Sequence, residues 1–180
     1  MKLLALANVV ICLCLGAMPE TVESIRCPFP WTAFKSACYR YISTEATWNG
    51  ARQICSELTN SSSYTTPRLA SIHSKDENDF LYNYWVFSRN EIPLYVIYNS
   101  NTEYPGVFIG LNDVQTEGTF RYTDGTSYDF SNFLPGEPNN CCGGEDAVHF
   151  WDGPGHFGGW NDLAVDTWTF PSFCKMTRLE

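Results

Sequence analysis

The chain has 180 residues, a formal net charge of −9 and eight cysteines. That acidic balance argues against nucleic acid as a partner, because neutralising phosphates needs clustered Lys and Arg. Met1-Lys2, the apolar run Leu3–Gly16 and the small residue Ala17 have the layout of a secretory signal. Residues 1–18 are therefore expected to be a leader, and residues 27–180 one extracellular domain. The apolar run falls short of the ~20 residues that a spanning helix needs, so no membrane insertion is expected. Six cysteines lie beyond it: Cys27, Cys38, Cys55, Cys141, Cys142 and Cys174. An even set behind a leader reads as a disulfide framework formed in an oxidising compartment. Asn60-Ser61-Ser62 is a glycosylation sequon, which suits the same address.

Cys27 to Tyr41 places Phe29, Trp31, Phe34, Tyr39 and Tyr41 at roughly alternating positions between prolines, the pattern of a short hairpin. Thr44 to Leu58 predicts a helix, with Trp48, Ala51, Ile54, Cys55 and Leu58 on one buried face. Ser74-Lys75-Asp76-Glu77 is a capping box, and the helix it starts turns Phe80, Leu81, Tyr84 and Trp85 inward. Arg89 to Pro105 reads as a surface insertion with a strand around Leu94–Tyr98. Val107 to Leu111 fits a central strand, and Trp168 to Met176 a last strand that returns Cys174 towards the start. Between them, Asn112 to Trp160 is rich in Gly, Asn, Asp and Pro, so little regular structure is expected there. The aromatics Phe120, Tyr122, Tyr128, Phe130 and Phe133 argue that this stretch is nonetheless ordered.

The order of motifs resembles the C-type lectin domain from Cys27 to the C-terminus. The residues that carry the resemblance begin with Cys27-Pro28, Trp31, Cys38-Tyr39, Trp48, Ala51 and Cys55. Leu69-Ala70-Ser71-Ile72, the Ser74…Glu77 helix start, Phe108-Ile109-Gly110-Leu111 and Phe120-x-Tyr122-x-Asp124-Gly125 follow. Glu137-Pro138-Asn139-Asn140, Glu145-Asp146 and Trp160-Asn161-Asp162 complete the set. The resemblance implies an α+β fold, with two helices packed on two small antiparallel sheets and a long calcium-binding loop. It also implies the pairings Cys27 with Cys38 and Cys55 with Cys174. The second closes a loop of about 119 residues, for which chain entropy gives roughly 4–5 kcal/mol.

Calcium takes six to eight oxygen ligands from carboxylates, amides and carbonyls. Glu137, Asn139, Glu145, Asn161 and Asp162, with the Asp162 carbonyl, match the family's principal site residue by residue, and in the family the peptide before the proline is cis. The same five residues would bind sugar, their carboxylates accepting from vicinal hydroxyls and their amides donating to them. In the family the Glu-Pro-Asn order accompanies mannose-type sugars (mannose, fucose, GlcNAc), and Gln-Pro-Asp accompanies galactose. Asp113, Glu117, Asn140 and Asp146 match an auxiliary calcium site, with Asn140 where some relatives carry Asp.

Two departures stand out. The family's inner disulfide would join positions 147 and 165, which here are Ala147 and Val165. Cys141 and Cys142 sit side by side instead, leaving open a strained vicinal bond, a bridge between chains giving a disulfide-linked dimer, free thiols, or zinc with His149 and His156. The segment Trp151 to Gly159 is longer than in relatives, and is expected either to form a glycine-rich wall presenting Trp151 or Phe157 to the sugar or merely to cover core. No H-E-x-x-H, G-x-S-x-G or phosphate loop occurs, so no enzyme is expected. The alternative function is a scaffold of the same fold that binds a protein ligand without sugar.

Overall fold

A computed structural model describes residues 25–59, 62–89, 105–141, 143–153 and 156–179. The expected leader, the sequon at Asn60, the strand expected at Leu94–Tyr98 and Cys142 lie outside the described residues.

The chain enters through a hairpin of β1 (Thr32–Phe34) and β2 (Ala37–Ala46), clipped by Cys27–Cys38 at a Cα separation of 5.7 Å. Helix α1 (Trp48–Glu57) starts four residues later than the sequence pattern suggests. Thr44 to Ala46 belong to β2, where Ala46 pairs with Phe170 after a register shift, and Thr47 caps the helix by accepting from the Gly50 N–H at 3.3 Å. Trp48, Ala51 and Cys55 are buried as expected, and the Trp48 indole donates to the Ile109 carbonyl at 2.9 Å.

After β3 (Arg68–Leu69), helix α2 (Lys75–Ser88) begins at the capping box. The Ser74 hydroxyl accepts from the Glu77 N–H at 3.3 Å, while the Glu77 carboxylate reaches one residue beyond the cap to accept from the His73 N–H at 2.8 Å. Leu81 and Trp85 are fully buried, and Phe80 and Tyr84 pack at the core's edge.

β4 (Gly106–Asn112) is buried along its whole length, and β5 (Arg121–Tyr122) pairs with its end. The stretch up to Trp160 is more regular than its composition suggests. β6 (Ala147–Gly153) and β7 (His156–Leu163) form an antiparallel hairpin before the final strand β8 (Phe170–Thr177). That hairpin holds the segment expected either to wall the sugar or to cover core. Its register sets Trp151 opposite Gly159, and the exposed Phe157 lies four residues before Asn161, about 13 Å along the strand.

The strands run in the order β1-β2-β8-β4-β6-β7, with β3 on β8 and β5 on β4. Two antiparallel groups are thus present, but they are joined where β4 runs parallel to β8 at Phe108 and Ser172, so the sheet is continuous and mixed rather than two separate sheets. One core gathers Leu81, Trp85, Ile109, Phe150, Trp160 and Phe173 between α2 and the sheet. A second lies under α1 around Trp48, Leu69 and Phe108 and contains Cys55–Cys174, with Cα atoms 5.5 Å apart. Ala147 is buried in this second cluster and Val165 packs against it, so apolar contact stands where the family places its inner disulfide.

Gly110 sits where the two groups meet. A Cβ there would lie 2.6 Å from the Leu69 carbonyl oxygen and 2.9 Å from the Thr123 hydroxyl. The first neighbour is backbone and cannot rotate away, so Gly110→Ala is expected to cost about 1–3 kcal/mol through overpacking, measurable as a lower urea midpoint with unchanged slope.

Candidate metal-binding loop

The long loop is anchored by Trp160. Its buried indole donates to the Asn78 side-chain oxygen on α2 at 2.8 Å and meets Phe130 and Phe133 edge-on, with centroids 5.6 and 5.8 Å away. Backbone bonds from Trp160 N to Asn132 O at 2.9 Å and from Leu134 N to Trp160 O at 3.0 Å lay the loop along β7. Asn161 and Asp162 are the next two residues of that strand, and Asp162 meets the segment that begins at Glu137.

The Glu137–Pro138 peptide is cis, as the resemblance implies. Beyond it the chain wraps over the Asp162 carboxylate, whose two oxygens accept from the Asn139 N–H at 3.1 Å and the Asn140 N–H at 2.9 Å. The Cys141 N–H donates to the Asn139 side-chain oxygen and to the Glu145 carboxylate, both at 2.7 Å, and Glu145 N–H donates to the Asn140 side-chain oxygen at 2.9 Å. Asn139, Glu145 and Asp162, three of the five predicted principal residues, are therefore linked directly or through one backbone amide. Asn161 joins them through its amide nitrogen, which donates to the Asp162 carbonyl at 2.6 Å and lies 3.2 Å from Nε2 of His149.

The electrostatics are those of crowded carboxylates. Burial first, then the Asp162 charge, lifts the Glu137 carboxyl above its ordinary range, and Glu145 adds to the shift. Burial and Asp162 raise Glu145 likewise, against a lowering bond from the Cys141 N–H. One Glu137 carboxylate oxygen, Oε2, is buried without a hydrogen-bond partner.

The auxiliary residues lie beside this set. Asp113 is buried; one of its oxygens accepts from the Gly118 N–H at 2.8 Å, and the other has no partner. Its N–H donates to the Asp146 carbonyl at 3.1 Å, and its carboxyl is raised by burial and by the charges of Asp146 and Asp162. Glu117, although exposed, is raised by desolvation and then by Asp113, and its bond with the Asn140 side chain opposes the shift. Sensitivity of both acids to Asp162 shows that the two predicted sets share one negative field.

Among the described residues no three His, Cys, Asp or Glu side chains stand close enough to form a ready metal cage. The reason is visible in the hydrogen bonds: Asp162 and Glu145 are satisfied by the loop's own N–H groups. The donor set still fits a hard cation, because unpartnered buried oxygens on Glu137 and Asp113 and mutually raised carboxyls are relieved by positive charge. His149 belonged to the zinc option left open by the sequence. It is buried and directed at Asn161, and burial pushes its imidazole down to about 3. The expected Cys141–Cys142 relation falls on a residue outside the described ones.

Comparison with known proteins agrees with this layout. The Lectin C-type domain model matches residues 44–176. Echinoidin of Heliocidaris crassispina is 32% identical over 163 residues, covering 86% of this chain and 99% of its own. The α-N-acetylgalactosamine-specific lectin of Patiria pectinifera is 34% identical over 150 residues, covering 82% and 78%. Among solved structures, the C-type lectin CEL-I from Cucumaria echinata superposes with a TM-score of 0.71 at 29% identity, covering 86% of this chain and all of that one. These relatives are binding proteins rather than enzymes, and within the described residues no helix is long and apolar enough to cross a membrane. The matched length, the shared fold and the loop's position together establish that the chain belongs to the carbohydrate-binding C-type lectin family.

Proposed function

We propose that the protein is a secreted, calcium-dependent lectin for mannose-type glycans. Its principal ion would be held by Glu137, Asn139, Glu145, Asn161 and Asp162 with the Asp162 carbonyl, and a second by Asp113, Glu117, Asn140 and Asp146. The observation that carries the reading is Glu137 Oε2, a buried carboxylate oxygen without a partner in a field set by Asp162 and Glu145. Leaving such an oxygen unpaired costs about 1–3 kcal/mol, and a divalent cation is the partner its surroundings favour.

A bound calcium ion would offer two coordination positions to vicinal sugar hydroxyls. The chain's own part is to orient them: Glu137 and Glu145 accept from hydroxyls, and the Asn139 amide donates. The relatives do not agree on a sugar. One is named as α-N-acetylgalactosamine-specific, one as lactose-binding, and the cow CD23 domain, 30% identical with a TM-score of 0.66, was solved with a GlcNAc2Man3 oligosaccharide. The choice of mannose-type sugars therefore rests on the Glu137-Pro138-Asn139 order in this chain.

The test is retention on immobilised mannose in calcium, release by EDTA, and preferential elution by free mannose over galactose. Retention that ignores EDTA would sink the calcium mechanism, and elution by galactose at lower concentration would sink the sugar assignment.

A further inference from the structure

We propose that the cleft bounded by α1, β3 and β5 is a second carbohydrate site, which takes the sulfate groups of a sulfated glycan through Arg52, Arg68 and Arg121. It shares no residue with either predicted calcium set, so it stands or falls apart from the calcium reading.

The chain carries 11 Lys and Arg against 20 Asp and Glu, so a cleft lined by three arginines and no carboxylate departs from its average. The three come from different elements, Arg52 from α1, Arg68 from β3 and Arg121 from β5. Each is held by a neutral group. The Arg52 guanidinium lies 5.7 Å from the centre of the Trp48 ring, Arg68 donates to the Pro67 carbonyl at 3.2 Å, and Arg121 donates to the Gln115 side-chain oxygen. Among the described residues none of the three pairs with a carboxylate, whereas Lys35, Lys75, Arg89 and Lys175 all do. A guanidinium has five N–H donors, so most of theirs stay available to a ligand. Acids near the cleft are engaged elsewhere: Gln53 donates to Glu57 at 2.7 Å, Asn49 donates to Asp166 at 3.2 Å, and Asp113 accepts from the Gly118 N–H. The wall's neutral amides, rather than its arginines, thus answer Glu57 and Asp166.

The cleft has a volume of about 730 Å³, within the ~300–1,000 Å³ of small-ligand sites, yet none of its lining side chains is aliphatic. Asn49, Gln53, Ser56 and Thr123 offer hydrogen-bonding groups suited to hydroxyls rather than to an apolar ligand. Hydroxyls together with several anionic groups describe a sulfated sugar chain. A guanidinium meets an oxyanion with two parallel N–H donors, and it gives up its water more readily than an ammonium does. Three cations drawn from three elements suit several sulfates on one chain better than a single ion. The net charge of −9 repels polyanions from the rest of the surface, which confines their attachment to this cleft.

Calorimetric titration of the full chain in EDTA with a heparin hexasaccharide tests this. One hexasaccharide should bind per chain, more weakly as salt is raised. Arg52→Gln, Arg68→Gln and Arg121→Gln should each weaken binding about two- to fivefold, and the triple variant should no longer bind. Arg26→Gln combined with Arg178→Gln, both outside the cleft, should change nothing. Equal losses from the two sets would overturn the proposal, because overall charge alone would then be read. If Arg121→Gln fails to fold on releasing Gln115, the Arg52→Gln, Arg68→Gln double variant decides. A desulfated hexasaccharide should not bind, and inorganic sulfate at equal sulfate concentration should not displace the sulfated one. Displacement would mean a site for a single ion, and equally tight binding of a polyphosphate of the same charge would mean that no sugar is read; either result overturns the assignment. Binding that requires calcium would move the sulfates to the metal-binding loop and sink the proposal. A chain that takes up no calcium sinks the calcium reading and leaves this one standing.

Discussion

Exchanging Glu137→Gln together with Asn139→Asp should abolish retention on mannose while leaving calcium uptake largely intact. The swap keeps one carboxylate and one amide, so the ion loses little charge from its shell. What it reverses is the order of acceptor and donor presented to two adjacent hydroxyls. Each hydrogen bond involving a charged group is worth about 1.5–3 kcal/mol, so misplacing even one should cost mannose affinity more than about tenfold. The family's Gln-Pro-Asp order accompanies galactose, so the relative preference should move in that direction. Monosaccharide competition at saturating calcium, read beside a calcium titration of the same variant, checks both halves. Undiminished mannose binding by the double variant would remove Glu137 and Asn139 from the sugar contact.

Much of this candidate loop was legible because the residues that suggest it lie in short, contiguous segments. Glu137-Pro138-Asn139, Glu145-Asp146 and Trp160-Asn161-Asp162 each carry their own spacing, and the fold needs only to bring three segments together. The capping box at Ser74 was equally local, and so was the face of Trp48, Ala51 and Cys55 on α1. What the sequence hid depends on partners far along the chain. Thr44–Ala46 have no local reason to be extended; they are recruited into β2 by pairing with β8. The β6–β7 hairpin was hidden by Gly153, Gly155, Gly158 and Gly159, which erase the alternation that marks a strand. His149 could not be valued correctly without the register that sets it opposite Asn161. Its Nε2 lies 3.2 Å from the Asn161 amide nitrogen, a contact that only this pairing creates.

Chelation should destabilise this protein markedly, and the effect should depend on pH with opposite signs in calcium and in EDTA. At calcium a hundred times its dissociation constant, binding to the native state alone contributes about 2.7 kcal/mol, equivalent to a loss of about 5–11 °C in Tm on adding EDTA to a domain of this size. The loop has no inner disulfide to share that load, since Ala147 and Val165 make only apolar contact with the second core. Introducing Cys at both positions should therefore shrink the drop in Tm. The pH dependence follows from the raised carboxyls of Glu137, Glu145 and Asp113. In EDTA the native state holds protons on these groups more tightly than the unfolded chain does. Their contribution to stability is therefore fully present below the unfolded carboxyl range and is lost as pH rises through their folded values. In calcium the sign reverses, because the ligands must be ionised to bind and acid releases the ion. Thermal melts of wild type and Glu137→Gln between pH 4 and 7.5, each with calcium and with EDTA, separate the two regimes. Glu137→Gln should flatten the pH slope in EDTA and lose part of the stabilisation by calcium. A wild-type Tm indifferent to EDTA at pH 7.5 would mean that the loop is held by its own backbone amides, with Asp162 and Glu145 sufficing as their acceptors.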